Sequence, residues 1–202
     1  MWRNKVEQEF DKRCLLMKIL IPSENYPEKY WLKYDHEKNP DHLEFLLGKE
    51  VHVDNGPIVY VMKGKVSLAA VREYDYLFSD GPDVVSDDVA RILVESCPLD
   101  VQLLPAVLVV NGGRYGDYFA LNVLNKYEAF DLSRCNYVPL INSMPDGPKK
   151  FKTIHLKGYV PNFSIFRAVE SRFNIVLSDS LAVKLEGRLV KGVQFVSGLD
   201  GL

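Results

Sequence analysis

Four histidines and three cysteines are the side chains here with the widest chemical range, and none stands in a spacing that assembles a reactive site. His36, His42, His52 and His155 form no HExxH or other metal-ligand pattern. His36 and His42 flank Glu37 and Asp41 and could gather around a cation, but solvated surface histidines are the simpler reading. Cys135 lies near Asp131 and Arg134, with His155 further on. A Cys/His nucleophile pair would need an activated thiolate and an orienting group, and the sequence supplies no sign of either. There is no GxSxG, no Walker loop, and no GxGxxG following a strand. Gly112-Gly113 and Gly116 fall in a hairpin turn rather than at a helix start. The expectation is a protein that is not an enzyme, with no catalytic residues, no metal and no cofactor.

Charge placement says more than net charge. The formal charge of −2 on 202 residues does not suit a dedicated nucleic-acid binder. From Glu73 to Asp100 the acids are Glu73, Asp75, Asp80, Asp83, Asp87, Asp88, Glu95 and Asp100, against Arg91 alone. From Lys149 to Arg172 the balance reverses, with Lys149, Lys150, Lys152, Lys157, Arg167 and Arg172. Either the two stretches complement each other within the fold, or the acidic one meets a basic partner surface, where charge speeds and selects association. Asp75, Asp80, Asp83 and Asp88 on the acidic flank, with Tyr115 and Asp117 from the following turn, are therefore the candidate partner-binding residues. Cys14, Cys97 and Cys135 are widely spaced, which fits reduced thiols and a cytoplasmic location rather than a disulfide framework. The apolar run Cys14 to Ile21 is broken by Lys18, unlike a signal peptide. No stretch approaches the ~20 apolar residues that span a bilayer, so no membrane partner is expected.

The elements that would position these residues are organised by a repeat. Val84 to Leu104 recurs, without a gap, as Val176 to Val196. Ser86/Ser178, Asp87/Asp179, Ala90/Ala182, Leu93/Leu185, Val101/Val193 and Gln102/Gln194 are identical pairs. Each copy reads as a short strand, a helix and a second strand. Serine at the boundary can accept from the free N–H groups of the first turn, and the aspartate beside it suits the positive helix end. Val89, Ile92 and Leu93, like Leu181 and Leu185, share one helical face. The helices are predicted to end near Pro98 and Gly187. The same Ser-Asp pairs argue against a phosphate site, because Asp87, Asp88 and Asp179 place negative charge where an anion would sit.

Around the repeat, residues Met1 to Arg13 suggest a loose charged helix, and Met17 to Ile21 a first strand. Met17 could itself be an alternative start. Tyr26, Tyr30, Trp31 and Tyr34 form a Pro-punctuated aromatic arm expected to pack on the body of the protein. Leu43 to Leu47 suggests a helical turn, Val51-His52-Val53 a strand, and Ile58 to Met62 a firmer strand. Ala106 to Val110 and Tyr118 to Leu124 are predicted to pair as a hairpin, and Lys149 to Leu156 to form a basic edge strand. The fold class expected is α+β, mostly antiparallel strands and hairpins with a few helices and two related strand-helix-strand units. The division expected is an N-terminal region, 1–74, packed on an α+β domain, 75–202.

The succession Val84-Val85-Ser86-Asp87, Gln102-Leu103-Leu104-Pro105, Tyr118 to Leu124, Phe130-Asp131-Leu132-Ser133, Phe166-Arg167, Val176-Leu177-Ser178-Asp179 and Gly192-Val193-Gln194-Phe195 resembles a large bacterial family. That family was first described as a domain of unknown function, was later grouped with the immunity proteins of polymorphic toxin systems, and is named after a myxobacterial member. The resemblance covers roughly residues 75 to 197 and rests on the order of short, mostly structural motifs. It implies a protein that neutralises a cognate bacterial toxin by stoichiometric binding, with no catalytic residues to carry over. Two other readings stand beside it. One is a small-substrate enzyme in which His155, Arg167 or Cys135 converge on a polar pocket. The other is a homodimeric structural or regulatory module, paired through an exposed edge strand or the aromatic arm.

Overall fold

The chain is seen in a computed structural model that describes residues 16–54, 56–144, 147–158 and 162–200. The helix expected over residues 1–13, and Cys14, lie outside the described residues. In chain order the elements begin with strands β1 (Met17–Pro22), β2 (Leu32–Tyr34) and β3 (Ile58–Met62), and a one-turn helix α1 (Leu68–Val71). Then come β4 (Tyr76–Leu77), β5 (Val84–Ser86), α2 (Asp87–Ser96), β6 (Val101–Val110) and β7 (Gly113–Val123). Next are β8 (Lys126–Tyr127), β9 (Asn136–Pro139), β10 (Lys149–His155) and β11 (Ile165–Ala168). The chain closes with β12 (Ile175–Ser178), α3 (Asp179–Gly187), β13 (Val193–Val196) and β14 (Gly198–Asp200). The fold is α+β with antiparallel-rich sheets, as the alternation of turn signals and short β-prone runs implied. No helix among the described residues is long and apolar enough to cross a membrane.

Among the described residues three sheets form: β2-β3-β6-β7-β5-β4, β13-β1-β12-β11-β8 and β14-β10-β9. Among the strands of the described residues, β3 with β6 and β8 with β11 pair in parallel and the rest antiparallel. The first two sheets contain the repeat, and the strand register makes the two copies superposable. In the first copy β7 lies between β5 and β6, with Ala120 opposite both Val84 and Leu104. In the second copy β1 lies between β12 and β13, with Ile19 opposite both Val176 and Val196. Val84 and Val176, and Leu104 and Val196, are repeat-equivalent, so Ile19 does in one unit what Ala120 does in the other. The preceding strands match too, since Tyr76 faces Val85 on β4 and Ile165 faces Leu177 on β11. Each helix starts on the expected serine: Ser86 Oγ accepts from the N–H of Val89, and Ser178 Oγ from that of Leu181, both at 3.4 Å. These side chains satisfy N–H groups that the first turn cannot pair internally.

Both units press the same faces into one core. Val85, Val89, Leu93 and Val101 from the first meet Leu177, Leu181, Leu185 and Val193 from the second, and α2 packs against α3. Lys184 ties the helices at the surface by donating to Ser96 Oγ at 2.8 Å. The exchange between units is reciprocal at their ends. The carbonyl of Lys191 accepts from the N–H groups of Asp75 and Tyr76 at 3.1 Å each, while Asp100 Oδ2 accepts from the N–H of Ser164 at 2.7 Å. Gly192, at φ +108°, lies so close to the carbonyl of Tyr76 that no β-carbon would fit.

Two expected strands are corrected. Val51-His52-Val53 is not a strand. Its backbone is held instead by Gln102, whose side chain accepts from the N–H of Val51 at 2.9 Å and donates to its carbonyl at 3.0 Å. β10 is not an edge strand but the centre of its sheet, flanked by β9 and β14. Strands from residues before 75 join both units: β1 sits inside the second unit, and β2 and β3 extend the sheet of the first. The aromatic arm does pack on the body, with Tyr30 and Tyr34 buried, but Trp31 keeps 42% of its surface exposed.

Candidate functional site

A cleft of about 450 Å³ opens where the two units meet. The strand registers explain its position. Phe78 and Asp83 flank the β4–β5 turn as Arg167 and Ile175 flank the β11–β12 turn, so the pairs occupy equivalent places in the two units. Had the units remained alike, these positions would hold matching residues. Instead one unit contributes an acid beside an aromatic ring, and the other a base beside an aliphatic chain. All four line the cleft.

The acid is held by its own turn. Asp83 is half-buried. Its Oδ2 accepts from the hydroxyl of Tyr76 at 2.8 Å and its Oδ1 from the N–H of Ser79 at 3.2 Å. Burial pushes its carboxyl up to about 6, against the opposing pull of the Tyr76 hydrogen bond and the Arg167 charge. Tyr76 is itself pushed well up by burial, with the Asp83 charge adding to it, so its hydroxyl stays a donor. Arg167 is 4% exposed. One Nη1 hydrogen goes to the carbonyl of Arg172 at 3.0 Å, and Nε has no hydrogen-bond partner. Burial lowers its pKa and the Asp83 charge opposes this, yet the two side chains form no direct ion pair. A buried guanidinium with donors in hand, near a carboxylate that does not quench it, is costly unless something else uses those donors.

The walls are preorganised. Asp80 accepts from Lys33 Nζ at 2.6 Å and from the N–H of Tyr34 at 2.8 Å, which clamps the 78–83 turn to β2. Tyr60 donates to the carbonyl of Pro82 at 2.9 Å, and Ser79 Oγ does so at 2.7 Å. Gly81 packs on the ring of Tyr34 so tightly that a side chain there would displace it. On the rim, Trp31 stacks obliquely on Phe78 at 5.4 Å between ring centroids, and Phe173 is 78% exposed.

The sequence candidates fall in three places. Asp80 and Asp83 belong to the cleft. Asp75 and Asp88 line a smaller groove of about 230 Å³ beside α2 with Arg91, Glu95 and Arg188. Tyr115 lies under the Arg72 guanidinium at 5.8 Å, and Asp117, at φ +67°, sits beside Asp87 at a third depression. Much of the acidic stretch is paired inside the fold, though not with the basic stretch. Arg91 pairs with Asp87 and Asp88, Lys33 with Asp80, Lys184 with Glu95 and Lys191 with Glu73.

Other reactive side chains are placed elsewhere. Cys135 Sγ accepts from the N–H of His155 at 3.3 Å and lies 3.6 Å from its carbonyl, so it is engaged with backbone rather than with the imidazole. Burial raises its thiol pKa, and that of Cys97 as well. His36 and His42 stack edge to face at 4.8 Å between ring centroids. Among the described residues no group of three or more His, Cys, Asp and Glu is gathered as a metal site. Arg167 was the residue the sequence undervalued. A lone arginine in Ile165-Phe166-Arg167-Ala168, a strand buried along its whole length, is a signal that could have singled it out.

Exposed apolar side chains are grouped at one sheet edge. β9 is the outer strand of its sheet. Val138, Leu140, Ile141 and Met144 along it and the following turn are 40%, 63%, 46% and 52% exposed. No protein-family model matches the chain, and no curated protein matches it.

Proposed function

We propose that this protein is an immunity protein that neutralises a cognate bacterial toxin by direct, stoichiometric binding. The observation that carries the reading is the apolar strip on the outer strand β9 and the turn after it. Exposed apolar side chains grouped on one edge are characteristic of surfaces that meet another protein. The outer edge of β9, unpaired among the described residues, adds backbone donors and acceptors that a partner can use. The resemblance of the ordered motifs between residues 75 and 197 to the toxin-immunity family supports a toxin as that partner. The exposed acids of α2, Asp87 and Asp88, add a face that favours a basic one.

Co-expression with the toxic products of neighbouring genes tests this. One of them should lose its toxicity and co-purify in an equimolar complex. Leu140→Asp should abolish protection while leaving the circular dichroism and melting temperature of the free protein unchanged, because the side chain is already exposed. If no neighbouring product is toxic, or none binds, the reading fails.

A further inference from the structure

The cleft between the two units has a composition that protein docking at β9 does not use. It presents two opposite charges, Asp83 from one unit and Arg167 from the other, that are near enough to influence each other but do not form an ion pair. Each oxygen of Asp83 accepts one hydrogen bond from the protein and retains capacity for a second. Arg167 donates one hydrogen bond within the protein while its Nε is unpartnered, in a side chain 4% exposed. The rest of the lining is mostly apolar, with Leu20, Phe78, Ile175, Trp31 and Phe173, while its polar members include Asp80, which is already paired with Lys33.

We infer that this cleft binds a small zwitterion with an apolar side chain, of the class of the apolar α-amino acids. The ligand's carboxylate would pair with Arg167, a geometry the planar guanidinium suits. Its ammonium would pair with Asp83, and its side chain would bury against Phe78, Trp31 and Phe173. A lone anion would meet Asp83, and a lone cation would meet Arg167. Only a ligand carrying both charges leaves neither buried group opposed. The volume, about 450 Å³, lies within the ~300–1,000 Å³ range of small-molecule sites and towards its lower end. Positional equivalence strengthens the assignment. Each charged residue stands where the other unit has an apolar one, Arg167 where the first unit has Phe78 and Asp83 where the second has Ile175, while the rest of the shared core stays apolar in both.

Isothermal titration and thermal unfolding with L-phenylalanine, L-leucine and L-tryptophan at millimolar concentration test the proposal on the full chain. At least one should release heat and raise the melting temperature, because a ligand that binds only the folded state stabilises it. N-acetyl-phenylalanine, which lacks the ammonium, and phenylalaninamide, which lacks the carboxylate, should each bind about tenfold more weakly or worse, the scale of one lost charge-assisted contact. Arg167→Lys and Asp83→Asn should weaken binding to a similar extent. Phe173→Ala keeps the test decisive if those variants fail to fold. Its ring is 78% exposed, so the variant should melt like the wild type, yet bind several-fold more weakly. Absence of heat and of any melting shift with all three amino acids overturns the proposal. Equal binding of the blocked derivatives overturns the two-charge assignment.

Discussion

Asp83 and Arg167 show how a buried charge can be tolerated without being cancelled. The carboxyl is held by a phenol and a backbone N–H, and Arg167 moderates it from beyond ion-pair range. This arrangement has a consequence for stability. Asp83 titrates at about 6 in the folded protein, against an ordinary value of 3.8. Between those values the native state holds a proton that the unfolded chain has lost. The contribution of Asp83 to stability is therefore fully present below the lower value and falls away as pH rises through the upper one. Asp83→Asn cannot titrate. Melting curves from about pH 4 to about pH 7 should show the wild type losing stability relative to the variant as pH rises. A gap independent of pH would mean that the carboxyl is not desolvated in the way the cleft implies. Asp83 was legible in the sequence only as one acid among many in an acidic stretch. What separates it from Asp87 or Asp88 is packing by Tyr76 and the opposite unit, and no local pattern encodes that.

At the scale of elements, the helix starts were the most legible feature because they depend on adjacent residues. The serine hydroxyl, the aspartate beside it and the apolar face that follows all lie within a few residues of one another. Ser86→Ala and Ser178→Ala should each cost about 1 kcal/mol, the usual loss when a side-chain cap is removed. Urea unfolding should find the two losses similar in size, since both hydroxyls accept from the third residue onward at the same distance, 3.4 Å. A much larger loss at Ser86 would show that its second bond, donated to Asp75 Oδ1 at 3.1 Å, matters more than the cap. The elements misread from sequence failed for a complementary reason. Val51-His52-Val53 has the composition of a strand, but the Gln102 side chain occupies the backbone groups of Val51 that a ladder would need. β10 looks like an edge because it is basic, but β14, far along the chain at Gly198–Asp200, covers the other side.

At the scale of the molecule, the repeat was visible but its completion was not. The sequence aligns strand, helix and strand at a constant offset, whereas the middle strand of each unit comes from a different part of the chain. β7 follows its unit directly; β1 precedes its unit by more than a hundred residues and joins it through pairs such as Ile19 with Val176. No periodicity marks such a partner. The consequence is that the two units cannot be separated into independent folding halves. They share one core, in which Leu20 on β1 and Leu121 on β7 are equivalent by register and both buried. Leu20→Ala and Leu121→Ala should each cost about 2–5 kcal/mol, the range for truncating a buried leucine. Because both remove volume from the same core, the double variant should depart from the sum of the single losses. Urea unfolding followed by tryptophan fluorescence and by far-ultraviolet dichroism should give one coincident transition in each variant. Two separated transitions, with each substitution shifting only one, would instead make the units autonomous. The cleft would then lie between two independently stable bodies rather than within a single cooperative one.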